Sequence, residues 1–237
     1  MHKSKDEEIY EVFDNIADKY DLANDIFTFR QHRVWKDQVL EYSELHENCY
    51  YLDIATGTGD LAIYAKNKYK FDFNIYATDI NENMLKVFHN KNNTQKLNID
   101  IKTADARELP YEDNFFDSVT IAYGIRNIPN PEICLKDIHR VLKNNGVLVI
   151  LETGVPSGIV KFPYNFYVRN IVPLLGQIIT KKKWAYEYLN RSAHIFPYGF
   201  QFKELTEKSA KYKTEIVEKK LFGASYIYKF RAVKWII

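Results

Sequence analysis

The sequence predicts an α/β domain built on a doubly wound, mostly parallel sheet, with helices on both faces and an antiparallel hairpin at one edge. Three observations predict it. From Tyr50 to Glu152 short apolar runs alternate with helical stretches, the pattern of buried parallel strands with crossover helices. The first run leads into a glycine turn, "YYLDIATGTGDLA" (50–62). The last two strand-like runs, "EIVEKKLF" and "ASYIYKFRAV", are joined near Gly223, which suits a hairpin.

Element by element, Ile9, Val12, Phe13 and Ile16 recur at helical spacing over 7–19, and a second helical pattern runs from about Gln31 to Leu45. "YYLDIA" then precedes a helix from about Asp60, and "NIYATD" one from about Glu82. "IDIKTAD" and "DSVTIAY" follow as strands, then a helix from about Pro131 to Leu142. "NNG" (144–146) stops that helix ahead of the strand "GVLVILE". After Glu152 the rhythm changes: residues 160–195 read as an aromatic helical insertion, and a further helix falls near 200–211. With no repeats, low-complexity tract or Pro/Ser-rich linker, the chain reads as a single domain, 1–237. It carries a helical amino-terminal arm, 1–48, and a helical insertion over about 156–198.

Composition excludes several classes. A net charge of +2 across 237 residues gives no electrostatic footprint for nucleic acid. Cys49 and Cys134 stand far apart and the six histidines show no ligand spacing, so no disulfide framework or metal site is expected. The start, "MHKSKDEEIYEVF", lacks the apolar core of a signal peptide, and no run approaches the roughly 18 to 20 apolar residues of a bilayer span. The reading is cytoplasmic.

Gly57 and Gly59 allow a tight turn and close approach to a ligand, and Ala62 allows close helix–strand contact. Asp79 ends the next strand, 20 residues after Gly59, where a carboxylate accepts from ribose hydroxyls. That much fits NAD and S-adenosylmethionine alike. Asp53 at the mouth of the turn separates them: it would repel a pyrophosphate, and no Lys or Arg stands near it in the chain. S-adenosylmethionine has no phosphate and carries an ammonium and a sulfonium, which a carboxylate attracts. The GK[ST] of a P-loop is missing. The cofactor is therefore read as S-adenosylmethionine. Asp105 is placed to accept from an adenine amino group, Ala106 to offer its backbone N–H, and Ile80 is counted with these contacts.

"VFDNIADKYDLANDIFTFRQHRVWK", "LDIATGTGD", "ATDINENML", "ADARELPYEDNFFDSVTIAYGIRNI" and "RVLKNNGVLVILE" resemble successive motifs of the UbiE/MenG quinone-ring C-methyltransferases. "IVPLLGQIIT" and "YEYLNRSAHIFP" resemble later segments, so the likeness runs from about Ile9 to Lys234. It implies a class I methyltransferase fold, Rossmann-like. The implied activity is methyl transfer from S-adenosylmethionine to the ring of a reduced polyprenyl quinone precursor, demethylmenaquinol in preference to benzoquinol. The family's cofactor contacts fall on Thr58, Asp79, Asp105 and Ala106. A further one falls on Ala122, which lacks the hydroxyl some members carry there. "NNG" replaces the usual Pro-Gly, "ETGVP" the usual "EFSKP" and "AKY" the usual "AGF".

Chemistry points the same way. A ring carbon becomes nucleophilic when the adjacent phenol loses its proton, which a nearby cation favours. Arg126, helped by Asn127, suits that role at the exit of the fourth strand; the plain alternative is a surface arginine. Tyr123 and Tyr20 are candidates for shaping the ring pocket, and neither His139 nor His194 offers a convincing base. "IVPLLGQII" (171–179), flanked by Arg169 and "KKKW" (181–184), has the make-up of an interfacial segment at the inner face of a membrane; the plain alternative is a packed helix with a solvated end. The expected partners are a prenylated quinol, a membrane surface and a second copy of the chain, with no nucleic acid. Two other readings stand beside the first: a class I methyltransferase for another small or lipid substrate, and a non-catalytic scaffold that binds cofactor or lipid.

Overall fold

The computed structural model describes residues 5–234; the ends of the expected domain, 1–4 and 235–237, lie outside the described residues. The arm holds α1 (Lys5–Ile16), α2 (Tyr20–Phe27) and α3 (Gln31–Tyr42). Then come β1 (Tyr50–Ile54), α4 (Asp60–Lys68), β2 (Asn74–Asp79), α5 (Glu82–Gln95), β3 (Asp100–Thr103) and β4 (Phe116–Ala122). α6 (Pro131–Val141) runs into β5 (Leu142–Thr153). The insertion contributes α7 (Lys161–Phe166), α8 (Val172–Thr180) and α9 (Lys183–Ile195), with a π-helical turn, Tyr167–Ile171, between the first two. α10 (Phe200–Ser209), β6 (Tyr212–Lys220) and β7 (Ser225–Ala232) close the series.

The seven strands lie in the order β3-β2-β1-β4-β5-β7-β6. β1 to β5 pair parallel, and β7 runs antiparallel between β5 and the edge strand β6. The expected sheet and edge hairpin are both present. Alternate residues feed two layers of core. On one face Tyr51, Val147 and Val149 meet Trp35, Leu61, Leu85 and Phe88; on the other Leu52, Leu148 and Ile150 meet Leu135, Ile138 and Phe202. Burial on both faces is what near-continuous apolar strands require.

Two expectations shift. The arm contains a third helix, α2, whose eight residues lie between the two periodic stretches. The Asn-Asn-Gly stop is not a linker: the helix ends at Val141 and the strand begins at once. Phe116 pairs with Leu142 but Ser118 with Val147, so the stop is an excursion within β5, with Asn145 at φ +63°.

A third cluster covers the carboxyl ends of the strands. Ile9, Val12 and Ile16 of α1 pack with Tyr186 and Tyr188 of α9 and Met84 of α5. Glu8 and Arg191 add an ion pair at 2.6 Å. Arm and insertion thus roof the crevice where the connections leave β1 and β4 in opposite directions, the usual ligand position in open α/β sheets.

Candidate active site

Under that roof lies a cavity of about 670 Å³, lined mostly by apolar and aromatic side chains. A smaller one of about 90 Å³ adjoins it and shares Asp79 and Ile80. Asp53, Gly57, Thr58, Asp79, Ile80, Ala122, Tyr123, Arg126 and Asn127 line the larger space; Asp105 and Ala106 line the smaller. Tyr20 also faces the larger. Gly59 lies just outside the lining: a Cβ there would stand 2.2 Å from the Phe88 ring. At Gly57, φ +57°, a Cβ would meet nothing within 4 Å. One glycine therefore packs the turn onto α5 and the other leaves backbone bare to the cavity.

A buried carboxylate, Asp53, and a half-buried one, Asp79, hold this turn. Asp79 accepts from the N–H of Gly57 at 2.8 Å and of Asn81 at 2.9 Å, one on each oxygen. Burial raises its pKa against the pull of those amides. The Ile80 amide adds to these two, and the carboxylate still keeps accepting capacity. Asp53 accepts from Thr56 Oγ1 at 2.6 Å and Thr120 Oγ1 at 2.7 Å. Since the Thr120 hydrogen goes to Asp53, the Tyr51 hydroxyl donates to Thr120, also at 2.7 Å. Burial lifts the Asp53 pKa to about 6. Thr58 Oγ1 donates to Asp21 of α2 at 2.5 Å, fastening the arm to the turn, and Lys91 pairs with the same carboxylate. In the smaller cavity the Arg107 guanidinium, paired with Asp105 at 2.6 Å, holds that carboxyl below its usual range.

At the exit of β4 the backbone is strained: Tyr123 has φ +58°, and Ala55 at the end of neighbouring β1 has φ +51°. Gly124 permits their approach, because a Cβ there would lie 2.6 Å from that of Ala55. Arg126 is 8% exposed and Asn127 6%. Arg126 Nη1 donates to Glu152 Oε1 at 2.7 Å and to the Tyr123 carbonyl at 2.6 Å. Burial works against the guanidinium charge, but Glu152 outweighs it and the pKa rises. Among the described residues, Arg126 Nε and Asn127 Oδ1 have no hydrogen-bond partner. Burial raises the Tyr123 phenol well above its ordinary range and pushes Tyr164 up to about 12, so neither is a ready base. His139 binds the Lys211 and Val233 carbonyls and does not line the cavity; His194 binds the Asn190 carbonyl.

Sequence reasoning missed Glu152, His32 and Lys36. Glu152 was read as the end of a strand, and only the β4–β5 pairing brings it to Arg126. His32, Trp35 and Lys36 all line the cavity. Their i, i+3, i+4 spacing on a helix was the available signal. Lys36 also corrects the reading of the turn. No cation flanks Asp53 in the chain, yet the fold brings Lys36 near enough for its charge to lower the Asp53 pKa. The turn still disfavours phosphate, because Asp53, Asp60 and Asp79 outnumber that lysine on the same wall.

Sheet order, glycine turn and acidic strand ends together define a class I methyltransferase. The fold matches solved structures of that class: a SAM-dependent methyltransferase from Aquifex aeolicus has a TM-score of 0.60 at 19% identity, over 84% of this chain and 89% of its own. Phosphoethanolamine N-methyltransferase 2 of Haemonchus contortus, in complex with S-adenosyl-L-methionine, has a TM-score of 0.62 at 18% identity, over 84% of this chain and 52% of its own. In sequence, residues 1–231 match the model of the ubiE/COQ5 methyltransferase family. The ubiquinone/menaquinone biosynthesis C-methyltransferase UbiE of Rickettsia prowazekii is 42% identical over 85% of this chain and 83% of its own. The demethylmenaquinone methyltransferase of Staphylococcus aureus is 36% identical over 88% and 86%. The chain belongs to the ubiE/COQ5 methyltransferase family.

Proposed function

We propose that this enzyme transfers the methyl group of S-adenosylmethionine to a ring carbon of a reduced polyprenyl quinone precursor, with demethylmenaquinol preferred over benzoquinol. The observation that carries the substrate side is the pair of polar residues Arg126 and Asn127 in an otherwise aromatic and apolar lining, with Arg126 Nε and Asn127 Oδ1 buried behind the surface and unpartnered among the described residues. A donor and an acceptor left unspent on adjacent residues suit one phenolic hydroxyl once those side chains turn toward it, the hydroxyl donating to Asn127 and accepting from Arg126. Menaquinone stands in the names of both relatives, which supports the naphthoquinol ring.

The residues present fit the cofactor. Bare backbone at Gly57 admits a close ligand, Asp79 retains lone pairs for ribose hydroxyls, and Asp105 with Ala106 lines the adjoining space for adenine. Once bound, the cofactor supplies an electrophilic methyl. The chain's part is alignment of that carbon with the ring and stabilisation of phenolate by Arg126. Tyr20 and Tyr123 border the ring position.

The tail of such a substrate leads toward lipid. Among the described residues no helix is long and apolar enough to cross a membrane. On the insertion, however, Phe162, Phe166, Leu174 and Ile178 are exposed beside Arg169 and Lys181 to Lys183, a composition that supports peripheral contact with an anionic bilayer. Incubation with methyl-labelled S-adenosylmethionine and each quinol, followed by mass analysis of the ring, tests the function. Label appearing in neither product would overturn it.

A further inference from the structure

At one edge the cavity is rimmed by apolar side chains held on strained backbone. Among the described residues, consecutive non-glycine residues adopt left-handed backbone at two places, Phe29–Arg30 and Leu221–Phe222, with φ between +41° and +61°. Such a conformation is costly for a bulky side chain, and strain of this kind concentrates at ligand sites and switches. Each place sets an apolar side chain at the cavity edge: Phe29 is 76% exposed and Leu221 55%, yet both line the space. The Phe29 ring stands 6.1 Å from that of Tyr167, which also lines the cavity and begins the π-helical turn. Turns of that kind likewise recur at functional sites. A residue both exposed and cavity-lining marks a mouth, and this mouth is apolar. Tyr10 and Ile80 meet the same two conditions beside Asp79, where the cofactor's ribose is placed.

The rim borders an apolar, cationic face shared by arm and insertion. Lys19 Nζ donates to the Ile179 carbonyl at 2.8 Å, and the Tyr167 hydroxyl to the Phe27 carbonyl at 3.1 Å. Those two bonds set α2 antiparallel against residues 167–179, so Leu22 and Ile26 share a face with Leu174 and Ile178, all four exposed. Phe162 and Phe166 extend it along α7. Charge is segregated here. From Thr153 to Tyr186 the sequence has five cations, Lys161, Arg169 and Lys181 to Lys183, and no acidic residue. Of the five, Lys183 alone has a carboxylate partner among the described residues, Glu187 at 3.4 Å. On the arm side Arg33 covers Asp25 at 2.6 Å, and the exposed Asp18 bounds the face four residues before Leu22.

We propose that this face seats the protein on an anionic phospholipid bilayer with the rim of Phe29, Tyr167 and Leu221 turned to the acyl chains, and that the substrate's isoprenoid tail passes between lipid and cavity through that rim. This rests on the quinol reading given above and adds to it the tail's route and the arm's share of the docking face. An apolar surface edged with cations and free of acid over the insertion matches a layer with negative headgroups and a hydrocarbon interior. A tail that crossed water on its way to the ring would lose the transfer free energy of every carbon, which a port sealed by lipid avoids. The strained turns have a use in this arrangement: they hold Phe29 and Leu221 out at the edge, where folding the side chains inward would close the mouth.

Two measurements on the full chain test it. The first is flotation with phosphatidylcholine vesicles, with and without phosphatidylglycerol. Wild-type protein is expected on the anionic vesicles, and Leu22→Glu combined with Leu174→Glu should lower that binding about tenfold or more. Ile133→Glu, exposed on α6, should leave it within about twofold. The second compares rates on a long-tailed quinol held in the anionic vesicles and a tail-less quinol in solution. Neither Leu22 nor Leu174 lines the cavity, so the double variant should keep its rate on the tail-less quinol and lose most of that on the tailed one. Phe29→Glu should raise KM for the tailed quinol about fivefold or more relative to the tail-less one. An unchanged ratio of the two KM values in Phe29→Glu, or vesicle binding that the double variant retains, overturns the proposal. So does a dimer, seen by light scattering, that the double variant dissociates while wild-type protein binds no vesicle; the face would then belong to a second copy. Wild-type protein that methylates neither quinol overturns the quinol reading itself, a result distinct from these.

Discussion

Arg126 and Glu152 form a buried ion pair: Nη1 and the backbone N–H of the arginine donate to the two carboxylate oxygens at 2.7 and 3.2 Å. The guanidinium proposed to meet the substrate is thereby neutralised, and each partner depends on the other. Removing one side strands a charge in a low-dielectric interior. Arg126→Ala is expected to cost roughly 3 to 5 kcal/mol of stability, most of it from the stranded carboxylate. Arg126→Met combined with Glu152→Gln should recover a large part of that loss and still turn over poorly. Urea titrations paired with initial rates check both halves.

Glu152→Gln alone separates charge from geometry. The amide keeps a hydrogen-bond acceptor for Arg126 but leaves the guanidinium uncompensated. An uncompensated cation stabilises phenolate, so the rising limb of the kcat/KM against pH profile should move to lower pH. A limb that stays in place would mean that the Arg126 charge does not act on the substrate hydroxyl.

The two glycines of the turn should fail in different ways. Gly59→Ala drives a methyl into Phe88 at 2.2 Å with φ +80°, so the expected result is a clear loss of thermal stability, eased by Phe88→Ala. Gly57→Ala has open space and bears mainly a backbone penalty of about 1 to 2 kcal/mol. Its larger effect should be on cofactor affinity, because the new methyl lies on the cavity wall. Thermal unfolding and calorimetry on both variants distinguish the two outcomes.

Asp79 serves both the turn and the proposed ribose contact. Asp79→Asn keeps one carbonyl acceptor and replaces the other with a donor facing an N–H. Cofactor binding should weaken by roughly 1 to 3 kcal/mol through loss of a charged acceptor. Unchanged affinity by calorimetry would place the ribose elsewhere.

Asp53 gives a pH signature. Its folded pKa of about 6 lies above the ordinary 3.8. The folded state therefore holds this proton more tightly than the unfolded chain does. The stability it contributes is present below about pH 4 and lost as pH rises through 6. Asp53→Asn, which resembles the protonated acid, should gain on the wild type by up to about 3 kcal/mol between pH 4 and pH 7.5. Denaturant melts at the two pH values measure the difference; a constant offset would mean that Asp53 does not titrate in this range.

The strands that build the cavity floor were legible because each is a short apolar run ended by a polar residue, and Asp53, Asp79 and Arg126 stand at or just past those ends. α2 was not, because "YDLANDIF" is too short to show a period between two longer helices. Glu152 and Lys36 were missed for a different reason. Their partners, Arg126 and Asp60, are 26 and 24 residues away in the chain, and only the β4–β5 register and the packing of α3 over α4 bring them together. Local pattern reports which residues face a site, whereas charge pairing depends on topology.

The roof of the cavity joins the beginning of the chain to its later part: Glu8 and Arg191, which pin α1 to α9, are 183 residues apart. At a synthesis rate of roughly 5 to 20 residues per second, α1 waits on the order of 10 to 40 seconds on the ribosome before its partner helix exists. Through that interval Ile9, Val12 and Ile16 have no α9 to cover them, although each ends up buried. The arm is thus made long before the helix that finishes it, which leaves its apolar face open to a holding chaperone in the meantime. A ribosome-stalled chain ending before α9 should be bound by such a chaperone through its first twenty or so residues, and released from it once α9 emerges.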